Sequence, residues 1–181
     1  MSAAPQAPNP QANDAPASAY DMGHVDTADQ RATYAVIVDN EPGVLHRVVG
    51  LFAGRGYNIE SLTVAETDRR AHTSRITIVT SGTPAVLEQI RAQLDKTVCV
   101  RAVQDVTRDP LGIERELAVV RVAPSAEAKE IADGLGARTL APGVYELTGE
   151  SRQIDRFLDL MRPFGVAELA RTGVLSIHAG E

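Results

Sequence analysis

Tryptophan is absent from this sequence, cysteine occurs once, and aromatic residues make up only 4% of the chain. Any core must therefore be built from Val, Leu, Ile and Ala. The lone Cys99 excludes an intrachain disulfide framework. It sits in the apolar run "TVCVRAV" and reads as a small buried hydrophobe, because no basic cluster or helix start adjoins it to lower its pKa. Lysine is nearly missing, with Lys96 and Lys129 alone, and the net charge is −6. An acidic chain without a basic stripe is poorly suited to nucleic acid or an anionic membrane surface. No apolar run reaches the roughly 18 residues of a membrane span. A secretory signal is missing too: the N-terminus has no basic start or apolar centre. Asp14, Asp21, Asp26 and Asp29 stand there against Arg31 alone, which argues against a transit peptide. The expected address is cytoplasmic.

What remains is 181 residues with 44% apolar content, enough for one medium domain or two small ones. Residues 1–31 hold four of the ten prolines. They lack apolar periodicity and are expected to be a disordered leader. Regularity begins at "TYAVIV" (33–38), a continuous apolar strand suited to the centre of a sheet. Val44, Leu45, Val48, Leu51 and Phe52 then mark one face of a helix that ends at Gly54 or Gly56. "NIESLTVAE" (58–66) and "TSRITIVT" (73–80) read as strands joined by a polar turn. Val86, Leu87, Ile90 and Leu94 mark a second helix after Thr83 and Pro84, and "TVCVRAVQDV" (97–106) reads as a fourth strand. The order β-α-β-β-α-β is the split βαβ arrangement of ferredoxin-like domains. After the break at "TRDPLG" it repeats. "RELAVVRVA" is a strand and residues 125–135 a weaker helix. A hairpin turns at Pro142 and Gly143, Ile154, Phe157, Leu158 and Met161 line a helix, and residues 165–177 close the pattern. The expected fold class is α+β, with tandem ferredoxin-like domains at 32–107 and 113–181.

"DNEPGVLHRV" (39–48) opens the first helix without any evident nucleophile, acid–base pair or phosphate-binding lysine beside it. Asn40 could cap the helix. Gly43, lacking a Cβ, would let another group approach the backbone. Amides freed at a helix start suit a carboxylate. Taken alone, such a stretch is more often only a capped turn. The second strand of this topology lies at a sheet edge near that helix start. An open edge can be covered by the same edge of a second copy. That dimer would bring Asn58, whose amide both donates and accepts, to the partner's helix start. A small zwitterion fits such a seam. On spacing alone, Asn58 is more readily a turn residue.

"DNEPGVLHRVVGLFAGRGYNIESLTVAETD" resembles the start of the regulatory small subunits of acetolactate synthase, and "SRITIVT", "LEQIRAQLDKTVCVRAV", "ERELAVVRV" and "FGVAELARTGVLSI" continue the likeness over about residues 33–178. The resemblance implies that the first domain is an ACT domain that dimerises through sheet edges. It implies a non-catalytic subunit that activates a separate thiamine-diphosphate-dependent catalytic large subunit. Feedback inhibition would come from valine, or another branched-chain amino acid, at the ACT dimer interface. Carried over by position, Asn40 and Gly43 meet the effector carboxylate, Val44 and Leu45 continue that turn through their amides, and Asn58 lies on the facing edge strand. Ala65 falls at a position that alters effector sensitivity. Thiamine diphosphate, magnesium and FAD would belong to the catalytic subunit. The trimmed stretch "APSAEAKEIADGLGARTLAPG" departs from the family pattern. The alternative is an ACT-type sensor controlling another enzyme.

Other chemistry is thinly supported. His24, His46, His72 and His178 are scattered without metal-ligand spacing. "GRG" at 54–56 lacks the third glycine of a dinucleotide fingerprint. Glu114 and Glu116 alternate with Arg115 and read as surface charge. Ser61 and Ser74 have no His–Asp arrangement to activate them. An enzyme with its own chemistry would need a converging pair or cluster that the sequence does not offer. A sheet-based RNA binder would need stacking aromatics, and Tyr34 is the only one in the first-domain strands.

Overall fold

A computed structural model describes residues 28–107 and 109–179. The first domain is built around β1 (Gln30–Asp39), which pairs antiparallel with β3 (Thr73–Gly82) on one side and β4 (Val100–Asp105) on the other. β2 (Ser61–Asp68) pairs with β3 and stands at the edge, giving the order β2-β3-β1-β4. The helices α1 (Val44–Ala53) and α2 (Pro84–Asp95) enclose the core with one face of this sheet. Val48, Phe52, Ile90 and Leu94 are fully enclosed there with Val36, Val38, Ile76 and Ile78. Each such side chain contributes about 1.5–3 kcal/mol through burial. Tyr34 lies in the same core, its hydroxyl donating to the Leu87 carbonyl at 2.8 Å. It is therefore unavailable for stacking on a base.

The second domain repeats the plan. β5 (Gly112–Arg121), α3 (Ala126–Gly134), β6 (Arg138–Ala141), β7 (Val144–Gly149), α4 (Ser151–Met161) and β8 (Glu168–Arg171) form a sheet of order β6-β7-β5-β8, the same as the first. Ala128, Ala132, Ile154, Phe157 and Met161 pack against Ala118, Val120, Tyr145 and Leu147. The helix start of α3 is fixed by Ser125, whose Oγ accepts the Ala128 N–H at 3.0 Å. Ser125→Ala should cost about 1 kcal/mol, read as a lower urea midpoint of this domain.

The two domains touch. Arg75 of β3 donates to the Ser176 carbonyl at 2.7 Å, and the Val174 N–H donates to Ser61 Oγ at 3.1 Å. Thr33, Ala35, Thr77 and Val79 of β1 and β3 are buried although they alternate with the helix-facing residues. Both faces of the central strands β1 and β3 are therefore covered, while the second half of β2 stays exposed.

Several expectations change. β1 begins at Gln30, two residues before the expected domain start, and β5 begins at Gly112. The expected disordered leader falls, for residues 1–27, outside the described residues. β4 starts at Val100 instead of residue 97: Cys99 takes φ +73 and breaks the strand. The single closing strand expected over 165–177 is two, β8 and β9 (Leu175–His178), which pair with opposite halves of β5. The break is at Thr172, whose hydroxyl takes the Leu117 N–H at 3.0 Å while its own N–H donates to the Leu117 carbonyl. Glu116 is not surface charge. It is 4% exposed and held by Arg171 and Ser151 Oγ, each at 2.5 Å. The Arg171 pKa is raised, chiefly by this hydrogen bond.

Candidate functional site

The turn Asp39–Gly43 carries the chain from the end of β1 to α1. Asn40 does not cap the helix. The Glu41–Pro42 turn moves the helix start on to Val44, and the cap position falls to Gly43 at φ +85 with no side-chain bond. Only glycine adopts that conformation freely, so the glycine serves a backbone need as well as access. A Cβ there would meet nothing within 4 Å. The Asn40 amide is turned away from the helix, donating from Nδ2 to Glu66 Oε1 at 3.2 Å, while its N–H donates to the His72 carbonyl at 2.7 Å.

With no side-chain cap, the first turn keeps open donors. The Val44 N–H donates to the Glu41 carbonyl at 3.2 Å and the Arg47 N–H to the Gly43 carbonyl at 3.0 Å. Among the described residues, no acceptor meets the N–H groups of Gly43, Leu45 or His46. Val44 therefore offers neither a free amide nor a free side chain, which is buried in the core. Leu45 departs from the apolar helix face and stays 39% exposed. Val64 of β2 alternates on the same side of the sheet as Glu66 and is 43% exposed. Open amides and uncovered aliphatic side chains thus share one side of the sheet.

Cys99 lies on the other side of this turn, half-buried. Arg47 Nη1 donates to its sulfur at 3.1 Å, and the thiol donates to Glu41 Oε2 at 3.3 Å. That hydrogen bond to Glu41 pushes the thiol pKa up, with desolvation adding to it, which favours the thiol over the nucleophilic thiolate. Asp39, Glu41 and Cys99 bring three candidate ligand atoms within 4.8 Å of one another. Their hydrogen bonds, with Arg101 Nε on Asp39 Oδ1 at 2.5 Å, account for the grouping without a metal.

Asn58 is far from the helix start in its own protomer. Its carbonyl accepts from Thr80 Oγ1 at 2.6 Å, at the opposite end of β2 from Glu66. The two positions are eight residues apart, six of them in β2, and at a rise of about 3.3 Å per residue the separation approaches ~26 Å. A single chain therefore assembles Asn40, Gly43 and Leu45 but leaves Asn58 out. Ala65 pairs with Arg75 and alternates with Glu66, so it lies on the face of the sheet that meets the second domain. Glu66 and Val64 escaped the sequence reading. The period-two alternation of "SLTVAE" was the signal that could have placed both beside the helix.

A cleft of about 600 Å³ runs between the domains past Arg31, Glu60, Arg152 and Arg171, away from the α1 start. Its acids are paired: Glu60 with Arg31, and Glu116 and Asp155 with Arg171. No acid is left poised as a general base among them. No helix among the described residues is long and apolar enough to cross a membrane.

Residues 35–102 match the family described as the AHAS small subunit-like ACT domain, and residues 115–180 match the family described as the small subunit of acetolactate synthase. The probable acetolactate synthase small subunit of Archaeoglobus fulgidus is 42% identical over 156 residues, covering 82% of this chain and 96% of that one. The acetolactate synthase isozyme 3 small subunit of Escherichia coli K12 is 39% identical over 160 residues, covering 83% and 97%. The crystal structure of the acetolactate synthase small subunit from Thermotoga maritima superposes with a TM-score of 0.73 at 29% identity, covering 84% of this chain and 99% of that one.

Proposed function

The chain belongs to the acetolactate synthase small-subunit family, and from that membership we propose how it regulates. As a small subunit with an ACT domain, it is a regulatory component of branched-chain amino acid biosynthesis whose partner is a catalytic large subunit. The proposal is that two copies pair antiparallel through β2 and bind valine, or a related branched-chain amino acid, in the seam. The chain then activates the catalytic subunit and shuts it down when the amino acid accumulates.

The observation that carries this is the pair of half-sites at opposite ends of β2. The free N–H groups of Gly43, Leu45 and His46 suit a carboxylate without any basic side chain. An antiparallel pairing about a twofold axis sets Asn58 of one protomer beside the Glu66 end of the other, where the α1 start lies. Asn58 then supplies a polar contact that one chain alone lacks, and the Glu66 carboxylate, already bonded to Asn40 and paired with Arg69 at 3.6 Å, would have to share its charge with an ammonium group. Leu45 and Val64 offer aliphatic surface to a branched side chain. One methylene is worth only about 1–3 kcal/mol, so leucine and isoleucine should bind more weakly and not be excluded. Inhibition requires that valine favour one state of the assembly over another, by an ordinary coupling of about 1–3 kcal/mol.

The chemistry itself would reside in the catalytic subunit with its thiamine diphosphate, magnesium and FAD. Cytoplasmic synthesis fits that division. The decisive test is to mix this chain with a catalytic subunit and assay acetolactate formation with and without valine. Higher basal activity and its loss on adding valine are expected; no change in either would count against the proposal. Asn58→Ala should weaken valine binding about tenfold in calorimetry, the worth of one hydrogen bond to a charged group. Wild-type affinity would remove Asn58 from the site.

A further inference from the structure

The connection Thr172–Val174 lies against β2 with no room to spare. A Cβ on Gly173 would stand 2.6 Å from Ser61 Oγ, closer still to Thr63 Oγ1, and 3.1 Å from the Leu62 carbonyl. The φ of Gly173 is outside the left-handed region, so its backbone does not ask for glycine. Close approach does. Val174, 1% exposed, donates its N–H to Ser61 Oγ at 3.1 Å, and Arg75 on the neighbouring strand reaches the Ser176 carbonyl at 2.7 Å. Thr63 Oγ1 is buried with no hydrogen-bond partner. The contact is thus held by fit, with two hydrogen bonds to set its register.

β2 is consequently held at two points, its Glu66 end by Asn40 and its Ser61–Thr63 segment by the second domain, while its outer edge is unpaired among the described residues. Packed contacts do not compress, so a strand moved at its edge must carry along whatever is seated on its face. We infer that the Gly173–β2 contact is the joint through which occupancy of the seam is read by the second domain, with Gly173 as a positioning residue. This rests on the seam proposed above.

The test uses the full chain reconstituted with the catalytic subunit, and valine as probe. Gly173→Ala is expected to remain dimeric and to bind valine within threefold of wild type by calorimetry. Its apparent inhibition constant should rise at least tenfold. Thr63→Ala removes the nearest obstructing atom, the unpartnered Oγ1, and keeps the Ser61–Val174 hydrogen bond, so in combination with Gly173→Ala it should recover part of the lost inhibition. Arg75→Gln loosens the same joint without adding bulk, so it keeps the test open if Gly173→Ala does not fold. It should weaken inhibition about threefold with valine binding retained. Wild-type inhibition in both Gly173→Ala and Arg75→Gln would overturn the inference, as would a combined variant no better than Gly173→Ala alone. Loss of valine binding in Gly173→Ala in step with inhibition would also overturn it, since the residue would then serve the seam itself. A wild-type dimer that binds no valine takes down the seam and the joint together. Valine binding with inhibition untouched by either variant takes down the joint alone.

Discussion

Gly43→Asp should abolish valine inhibition in the reconstituted enzyme, while Gly43→Asn keeps a weakened but measurable response. The two replacements have the same shape, and both residue types tolerate the left-handed region better than other side chains. At φ +85 each carries a similar backbone cost, of about 1 kcal/mol or less. The Cβ of either replacement has open space, with nothing within 4 Å in the protomer. They differ in one charge. The aspartate carboxylate sits beside the free Leu45 and His46 amides, where the ligand carboxylate is proposed to lie. Two like charges about 4 Å apart repel by ~4 kcal/mol at an effective dielectric of 20. That is roughly a thousandfold in affinity, enough to remove inhibition at valine concentrations that saturate the wild type. Asparagine brings bulk without repulsion, and about tenfold is expected. Thermal melting should place both variants within a few degrees of wild type. Equal inhibition of the two variants would show that charge at the helix start is irrelevant, and the carboxylate would have to be placed elsewhere.

The same turn shows how far sequence reasoning reaches. The apolar spacing of Val44, Val48 and Phe52 fixes the helix and its buried face, because a 3.6-residue period can be satisfied only one way. Leu45 belongs to that pattern by spacing yet stays exposed, since α1 lies at the margin of the sheet and β2 does not cover it. Whether an apolar residue at such a margin is covered depends on a neighbour, and no element among the described residues supplies one here. The capping role of Asn40 failed for a local reason. Asn-Glu-Pro-Gly can start a helix at either end of the tetrapeptide, and the left-handed Gly43 chose the later one. Repeat topology was legible in both halves because the central strands β1, β3 and β5 carry apolar residues between turn residues. The breaks were not. Cys99 at φ +73 and the step at Thr172 follow from what β1 and β5 require of their partners, and no propensity records that. Glu116 is the clearest case. Alternation marks it as facing Ser151 and Arg171, but only the fold brings residues 55 positions apart within reach.

That buried carboxylate supplies the largest expected effect on stability. Glu116→Ala strands the Ser151 hydroxyl and one edge of the Arg171 guanidinium. Removing one member of a fully buried ion pair costs about 3–5 kcal/mol. Here Arg171 keeps Asp155 at 2.7 Å, and a third of its side chain reaches solvent, so about 2–3 kcal/mol is the expected loss. For a domain of this size that corresponds to a fall of ~10–20 °C in its melting temperature. Glu116→Gln should cost only about 1 kcal/mol, because an amide can still accept from Arg171 and donate to the serine. The consequence reaches beyond the domain's own fold. Arg171 ends β8 and immediately precedes the Thr172–Val174 connection clasped on β2. An alanine at 116 frees that connection at its root while leaving the core of the first domain untouched. Calorimetric scans should therefore show the second domain melting early, with the dimer and its valine affinity retained by the first. If both domains melt together at the lower temperature, the Glu116–Arg171 pair supports one cooperative unit, and the ACT domain does not stand alone.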